Sequence, residues 1–253
     1  NGATMEFLKR FDLDWANVKT VFRRELANYF NTPIGYIFLG IFVILVNFLF
    51  FFITRFFDRG YSLQGLFDML KLIYLAFIPV ITMRLWAEER RSGTVELLLT
   101  LPFSELELIL GKYFSAFIFL GIALATTLVL PLIAFYVSAP DFMVLLGSYL
   151  GAWLSGSAYI AMGLYISWLT RDQISAFLLS FLACLFVYLL GYQPVLQFFG
   201  PFKELLGFLS VSWHQDSLSA GLLDTRDLLY YISFSAIFLY LNKVSIEKFR
   251  RGH

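Results

Sequence analysis

The sequence predicts an all-α integral membrane protein with six transmembrane helices. The 253 residues are 59% hydrophobic and only 15% charged, with a mean hydropathy of +0.75, whereas soluble domains average about 45–50% apolar and about 25% charged residues. Charge-free stretches also recur that can cross roughly 30 Å of hydrocarbon, which takes about 20 helical residues. Because these stretches and their short connections use nearly the whole chain, we expect no separate soluble catalytic domain.

Residues 1–32 are predicted to contain one amphipathic helix. Trp15, Val18, Phe22, Leu26 and Tyr29 recur at three- and four-residue spacing, which is the period of one helix face. The opposite face carries polar and basic side chains, namely Lys19, Arg23, Arg24 and Asn28. This pattern is typical of a helix lying in the inner membrane interface, with its basic residues toward anionic headgroups. A helix packed on a soluble partner would show the same pattern.

The six predicted spans lie between residues 33 and 246. Pro33 opens the first span at an allowed first helical position, and Pro79 lies inside the second span as a tolerated kink. The sixth span has only a short uncharged core before Lys243, so we expect it to be short or tilted. The predicted boundaries are 34–53, 67–86, 113–137, 146–169, 174–192 and 228–246. Residues 247–253 then form a tail.

The Lys and Arg residues are distributed unevenly over the connections, and this distribution predicts the orientation. If both termini are cytoplasmic, fourteen of the 19 Lys and Arg residues lie inside. The five that lie outside are Arg55, Arg59, Lys71, Lys203 and Arg226. We therefore expect both ends of the chain, and the connection between the second and third spans, to be in the cytoplasm.

A dense ionic block separates the second and third predicted spans, and charges at such density must lie in water or against a partner. Gly93 predicts a break, Thr94 a helix N-cap with Glu96 in the first turn, and Pro102 a stop. The acidic pair in this block has no nearby histidine, so a docking surface is favoured over an acid–base pair. The predicted contact surface comprises Glu88, Glu89, Arg90, Arg91, Gly93, Thr94, Glu96, Leu98 and Pro102.

The connection between the fifth and sixth predicted spans, residues 193–227, is unusually long. Its segments 195–199 and 205–209 are apolar and lie on either side of Gly200 and Pro201. A re-entrant helical hairpin that dips into the outer leaflet would bury these side chains. The alternative is a collapsed loop packed on the outer ends of the spans.

Familiar catalytic and metal-binding patterns are absent from the sequence. No Gly-x-x-x-x-Gly-Lys-Ser/Thr phosphate loop occurs, so the chain is not expected to bind ATP itself. His214 and His253 are too few and too far apart for a metal site, and the lone Cys184 excludes an internal disulfide. No ionisable residue lies near the middle of a predicted span, although ion-coupled carriers usually keep one there. We therefore predict no catalytic, cofactor-binding or metal site, and an energy source outside the chain.

The ionic block resembles the cytoplasmic coupling segment of ABC-2 type transporter permeases. Six residues fall on the family's recurring positions: Glu89, Gly93, Thr94, Glu96, Leu98 and Pro102. Residues 104–112 resemble the family's entry to the third span, where Ser104 and Glu107 predict a capping box. Residues 31–35 and 221–227 narrow the resemblance toward permeases of gliding-motility-associated ABC transporters. The resemblance covers essentially the whole chain.

The resemblance implies the permease subunit of an ATP-driven exporter in the bacterial inner membrane. Such a subunit pairs with a second copy or a related permease and docks on a cytoplasmic ABC nucleotide-binding ATPase subunit, which binds the ATP and Mg. The helix before the first span becomes the connecting helix, and the ionic block becomes the coupling helix. Family members export varied cargo or perform mechanical work, some with an extracytoplasmic accessory protein, and nucleic acid is not expected as a partner. A channel or scaffold that needs no ATP is the alternative, and an intramembrane enzyme is the third interpretation.

Overall fold

A computed structural model describes residues 13–53, 63–138, 141–198, 200, 203–219 and 224–251. Within this part of the chain the regular secondary structure is entirely helical, as the sequence predicts. In chain order the helices are α1 (Trp15–Asn31), α2 (Pro33–Ile53), α3 (Gln64–Arg91), α4 (Thr94–Thr100), α5 (Glu105–Thr126), α6 (Val129–Ser138), α7 (Phe142–Leu169), α8 (Gln173–Leu189), α9 (Gln193–Phe198), α10 (Lys203–Leu209), α11 (Val211–Ser219) and α12 (Thr225–Arg251).

Five stretches of the described helices are long and apolar enough to cross a membrane. They are Pro33–Phe52, Gly65–Arg91, Glu105–Ile133, Phe142–Leu169 and Thr225–Arg251. α8 is also apolar but has 17 residues, which at 1.5 Å per residue is roughly 25 Å long. The chain is therefore a multi-pass membrane protein. A sixth span at 174–192 stays a prediction.

The helix that carries the third predicted span begins before that span and contains a break. α5 starts at Glu105, because Ser104 and Glu107 form both hydrogen bonds of the predicted capping box. The Ser104 hydroxyl accepts from the Glu107 N–H at 3.3 Å, and the Glu107 carboxylate accepts from the Ser104 N–H at 2.9 Å. The break lies between α5 and α6, where the Thr127 and Tyr149 hydroxyls are 3.0 Å apart. The charges before residue 113 are thus part of the helix.

α7 is the central helix and packs against α3, α5, α8, α11 and α12. Small side chains dominate its buried face, and they let neighbouring helices approach closely. A Cβ added at Gly156 would collide with Leu120 of α5, and one added at Gly163 would collide with Thr82 of α3. The small buried residues of α7 are Gly147, Ser148, Gly151, Ala152, Ser155, Gly156, Ser157, Ala158, Ala161, Gly163 and Ser167.

α1 packs along α5, but its buried face is turned from the predicted one. Of the predicted apolar stripe, Val18 is buried, Phe22 and Leu26 are half-buried, and Trp15 is 65% exposed. The fully buried residues of α1 are Val18, Val21, Glu25 and Tyr29. One face of α1 therefore packs on this chain itself. Its place in the membrane interface stays a prediction.

Two contacts with α5 set the rotation of α1. A Cβ added at Gly111 would lie 2.6 Å from the Val21 Cβ, so α1 crosses α5 where α5 has no side chain. The Glu25 carboxylate pairs with the buried Lys112 ammonium at 3.0 Å, which draws a charged residue onto the buried face. A pattern of apolar residues alone does not report such a pairing.

Three short helices, α9, α10 and α11, connect α8 to α12. α9 and α10 occupy the two apolar segments that predicted a hairpin, whereas α11 was not predicted. Gly200 lies between α9 and α10 with a φ of 46°, and Pro201 lies outside the described residues. Phe198 is 94% exposed and Leu205 is 61% exposed. The depth of this hairpin in the bilayer stays a prediction.

Candidate functional site

The ionic block is divided between the end of α3 and the short helix α4. Glu88, Glu89, Arg90 and Arg91 lie on the last turn of α3 rather than in a separate connection. Gly93 then makes the predicted break with a φ of 72°, in the left-handed region that glycine adopts without strain. Pro102 is exposed and follows the end of α4, as expected for a stop.

The sequence predicts Thr94 as the N-cap of α4, and this prediction is wrong. Gly93 occupies the cap position, and α4 has no side-chain cap. The Thr94 hydroxyl lies 2.8 Å from the Ser92 hydroxyl and donates to the Glu89 carbonyl at 3.4 Å. It therefore helps to close the last turn of α3, because the left-handed turn at Gly93 folds α4 back toward that end.

α4 has a packed side and an exposed side. Val95, Leu98 and Leu99 are buried in the core, so Leu98, expected on the contact surface, faces inward. On the other side Leu97 is 68% exposed and Leu101 is 44% exposed. The two are four residues apart and form a short apolar ridge, which we call the α4 ridge. Leu97 lies on α4, and Leu101 is the extended residue directly after its end. Contiguous exposed apolar surface marks a contact with protein or membrane.

A group of four charges, the ion cluster, lies where α1, α3 and α5 meet and is formed by the buried Glu25 and Lys112, the half-buried Glu89 and the exposed Arg24. The Lys112 ammonium donates to Glu25 at 3.0 Å, to Glu89 at 2.9 Å and to the Leu85 carbonyl at 2.7 Å. All three of its protons thus have an acceptor. The Lys112 side chain is only 1% exposed.

Arg24 completes the ion cluster from the surface. Its guanidinium donates to Glu25 at 2.6 Å and to Glu89 at 3.3 Å, so two cations face two carboxylates. Burial by itself raises the pKa of Glu25, but attraction by Lys112 and Arg24 outweighs burial and holds this pKa below its ordinary value of 4.5. Glu25 therefore stays ionised, and the ion cluster joins α1, α3 and α5.

Two further contacts join helices at the same end of the bundle, one made by Arg90 and the other by Glu105. The Arg90 guanidinium donates to the Trp168 carbonyl of α7 and lies 5.5 Å from the ring centre of Phe249 on α12. Arg250 of α12 pairs with Glu105 of α5 at 2.7 Å.

A model of the ABC-2 family transporter proteins matches residues 62–242, which is most of the chain. The chain belongs to this ABC-2 family. A comparison with proteins of curated function found no match. Membership makes the chain a membrane component of an ABC transporter, whose partners include an ABC ATPase subunit and the bilayer. The match does not distinguish the gliding-motility-associated group, so that narrower resemblance stays a prediction.

In this ABC-2 protein the predicted contact surface is only partly exposed. Glu88 is exposed and pairs with Arg84 at 3.1 Å, whereas the Glu89 side chain is 20% exposed and serves the ion cluster. Exposed members are Glu88, Arg91, Gly93, Thr94, Glu96 and Pro102; members with internal contacts are Glu89, Arg90 and Leu98. The α4 ridge was missed, although the inward spacing of Val95, Leu98 and Leu99 could have revealed it.

The hairpin end of the ABC-2 bundle carries its own polar contacts. Lys71 of α3 pairs with Asp68 at 3.0 Å and with Asp216 of α11, beside a cleft of about 320 Å³. His214 is buried against Asp227. Among the described residues no group of three or more His, Cys, Asp or Glu could hold a metal ion.

Proposed function

We propose that this chain is the permease subunit of an ATP-driven ABC-2 exporter, and that α4 is where its ATPase docks. The observation that carries the proposal is the α4 ridge, where Leu97 is 68% exposed on a helix whose opposite side is packed in the core. The exposed Glu96 adjoins the ridge. The nucleotide-binding partner supplies the ATP and Mg sites, and the permease contributes binding and motion.

The contacts around α4 suit it to transmit force. Gly93 and Pro102 bound the helix, and its buried leucines anchor it against the bundle. A displacement of α4 is therefore carried directly into α3 and α5, the helices on either side of it in the chain. The ion cluster adds α1 to the same unit, because Lys112 binds both Glu25 and Glu89. Closure of two ATPase subunits would then rock this end of each permease about α7.

The geometry favours an apolar contact with a charged rim over the mainly ionic contact that the sequence suggests. Leu97 and Leu101 lie at the centre of the exposed side of α4, and Glu88, Arg91 and Glu96 lie exposed on the surrounding block. Binding energy at interfaces concentrates in a few central side chains, whereas rim charges contribute little. The partner surface should therefore offer an apolar groove with a basic group near Glu96.

We further propose six spans with both termini in the cytoplasm of a bacterium. α8 would be the fifth of the six, because it packs beside α3 and α7 and reaches the hairpin end, where Tyr188 and Lys71 line one cleft. A short span is accommodated by local thinning of the bilayer. A second copy or related permease, and any extracytoplasmic accessory protein, complete the proposed assembly.

The test is co-purification of the ATPase with α4 variants. Leu97→Glu places a charge on the ridge and should weaken binding by about 2 kcal/mol or more, which is about thirtyfold in the dissociation constant. Glu96→Lys should weaken it less. Leu97→Met keeps an apolar side chain and is the matched control. Stimulated ATP hydrolysis in reconstituted vesicles should follow the same order.

The result that overturns the proposal is a Leu97→Glu protein that inserts normally and retains both the ATPase and its stimulated activity. Co-purification of the wild-type permease without any ATPase would instead support a channel or scaffold. Glu89→Lys is unsuitable for this test, because Glu89 belongs to the ion cluster and its reversal would place three cations together.

A further inference from the structure

At the hairpin end, α10 and α11 meet the first turns of α12 around a buried histidine. His214 of α11 is 5% exposed, and its ring stacks on Tyr230 of α12 at a centroid distance of 3.9 Å. This end is remote from α4, because α11 contacts α3 near Lys71 while α4 follows Arg91 at the other end of the 28-residue helix. The histidine therefore serves a purpose separate from ATPase docking.

Both ring nitrogens of His214 have acceptor partners. Nε2 lies 3.0 Å from the Phe208 carbonyl of α10, and Nδ1 lies 2.6 Å from the Asp227 carboxylate of α12. A carbonyl only accepts, so Nε2 must carry a proton. The proton between Nδ1 and Asp227 belongs either to an imidazolium or to a carboxylic acid. In either form the pair carries one proton more than a neutral imidazole beside an ionised carboxylate, and this proton can dissociate.

Loss of that proton leaves a single N–H for two acceptors. Asp227 is 6% exposed, and its second carboxylate oxygen is buried without a hydrogen-bond partner among the described residues. The buried carboxylate therefore retains the N–H, because an ionised group is costlier to leave unpaired than a carbonyl. The Phe208 carbonyl then faces the Nε2 lone pair, and the contact between α10 and His214 is lost.

We propose that His214 and Asp227 form a proton-dependent clamp that fastens α10 to α12. When the pair is protonated, His214 joins the end of α10 to the start of α12, and a cation near the final carbonyls of α10 is favoured by their partial negative charge. After deprotonation the direct contacts between α10 and α12 among the described residues include the neutral bond from the Tyr230 hydroxyl to the Leu209 carbonyl, 2.7 Å long, and the ring contact between Phe208 and Tyr230. The pH on the hairpin side thus sets how firmly the hairpin is closed.

Titratable and charged groups on the helices around His214 include Tyr159 on α7, Lys71 and Asp68 on α3, Tyr188 on α8, Lys203 and Glu204 on α10, Asp216 on α11, and Asp224, Arg226, Tyr230 and Tyr231 at the start of α12. Such groups ordinarily titrate outside the range in which histidine does. A change between mildly acidic and mildly alkaline pH therefore reports on the clamp.

The test is hydrogen–deuterium exchange of the full permease in lipid nanodiscs. It compares about pH 5.5 with about pH 8.5, on either side of neutral pH. After correction for the intrinsic exchange rate, amides of α10 should lose roughly tenfold protection at the higher pH, as for one charge-assisted hydrogen bond. Amides of α7 should not change. Equal protection of α10 at both values would overturn the proposal.

Two variants separate the clamp from other effects of pH. In Asp227→Asn the new amide can donate to Nδ1 while neutral His214 still donates to Phe208, so protection should remain high and independent of pH. His214→Gln cannot titrate and should show weaker protection, also independent of pH. If Asp227→Asn keeps the wild-type pH difference, the proposal is wrong. Should Asp227→Asn fail to fold, the wild-type and His214→Gln comparison decides.

Discussion

Replacing Lys112 with methionine should strongly destabilise the bundle. Methionine keeps much of the apolar stem but removes the ammonium group that binds Glu25 and Glu89. Their side chains, 9% and 20% exposed, then face each other with Arg24 as the remaining counter-ion. Removing one partner of a buried ion pair costs about 3–5 kcal/mol. In a protein of this size that corresponds to roughly 6–20 °C in the unfolding midpoint.

The assay is thermal unfolding of the purified permease in nanodiscs. The control is the triple variant Lys112→Met, Glu25→Gln, Glu89→Gln, which removes three of the four charges and leaves Arg24, whose side chain is 44% exposed to water. It should recover most of the loss, because buried ion clusters can be replaced by neutral groups at little cost. A Lys112→Met midpoint equal to wild type would refute the argument. So would a triple variant as unstable as the single one, because the loss would then not come from unpaired carboxylates.

Three further predictions follow from other contacts. The pKa of Glu25 is lower in the folded protein than its ordinary value of 4.5. The stability advantage of wild type over Glu25→Gln should therefore be complete at a pH above this ordinary value and should decline as the pH falls through the folded-state pKa. A difference in unfolding midpoint that stays constant with pH would contradict this. Gly163→Ala should cost about 1–3 kcal/mol by overpacking against Thr82, whereas Gly40→Ala, which meets nothing within 4 Å, should cost almost nothing in the same melts. Single cysteines at Ser92 and Gln197 in a Cys184→Ala background should react with an impermeant thiol reagent from opposite sides of the membrane, and labelling from one side would exclude the proposed topology.

Local features of the fold were predictable because they depend on neighbouring residues. The break at Gly93 and the capping box of Ser104 and Glu107 involve residues at most three positions apart, and both occur as predicted. The cap at Thr94 was wrong by one residue, because the left-handed turn at Gly93 directs the Thr94 hydroxyl back toward α3. The exact end of a helix therefore depends partly on the direction in which the next helix starts.

The candidate site was less predictable, because exposure depends on packing. The sequence placed Glu89, Glu96 and Leu98 on one contact surface, since all three lie in the same ionic block. The structure directs Glu89 into the ion cluster and Leu98 into the core, and leaves Leu97 outside. A glutamate on the buried face of α1 was a signal that Glu25 has a buried partner, but it did not identify Lys112.

The sequence by itself determined the membrane class, the approximate positions of the long helices and the ABC-2 family, because these follow from composition, apolar run length and locally spaced motifs. Only the tertiary structure decided which charges bind one another. Lys112 meets Glu25 across 87 positions of the chain and Glu89 across 23, and His214 meets Asp227 on another helix. Such pairs are set by the rotation and crossing of whole helices, which the packing of all their side chains determines together.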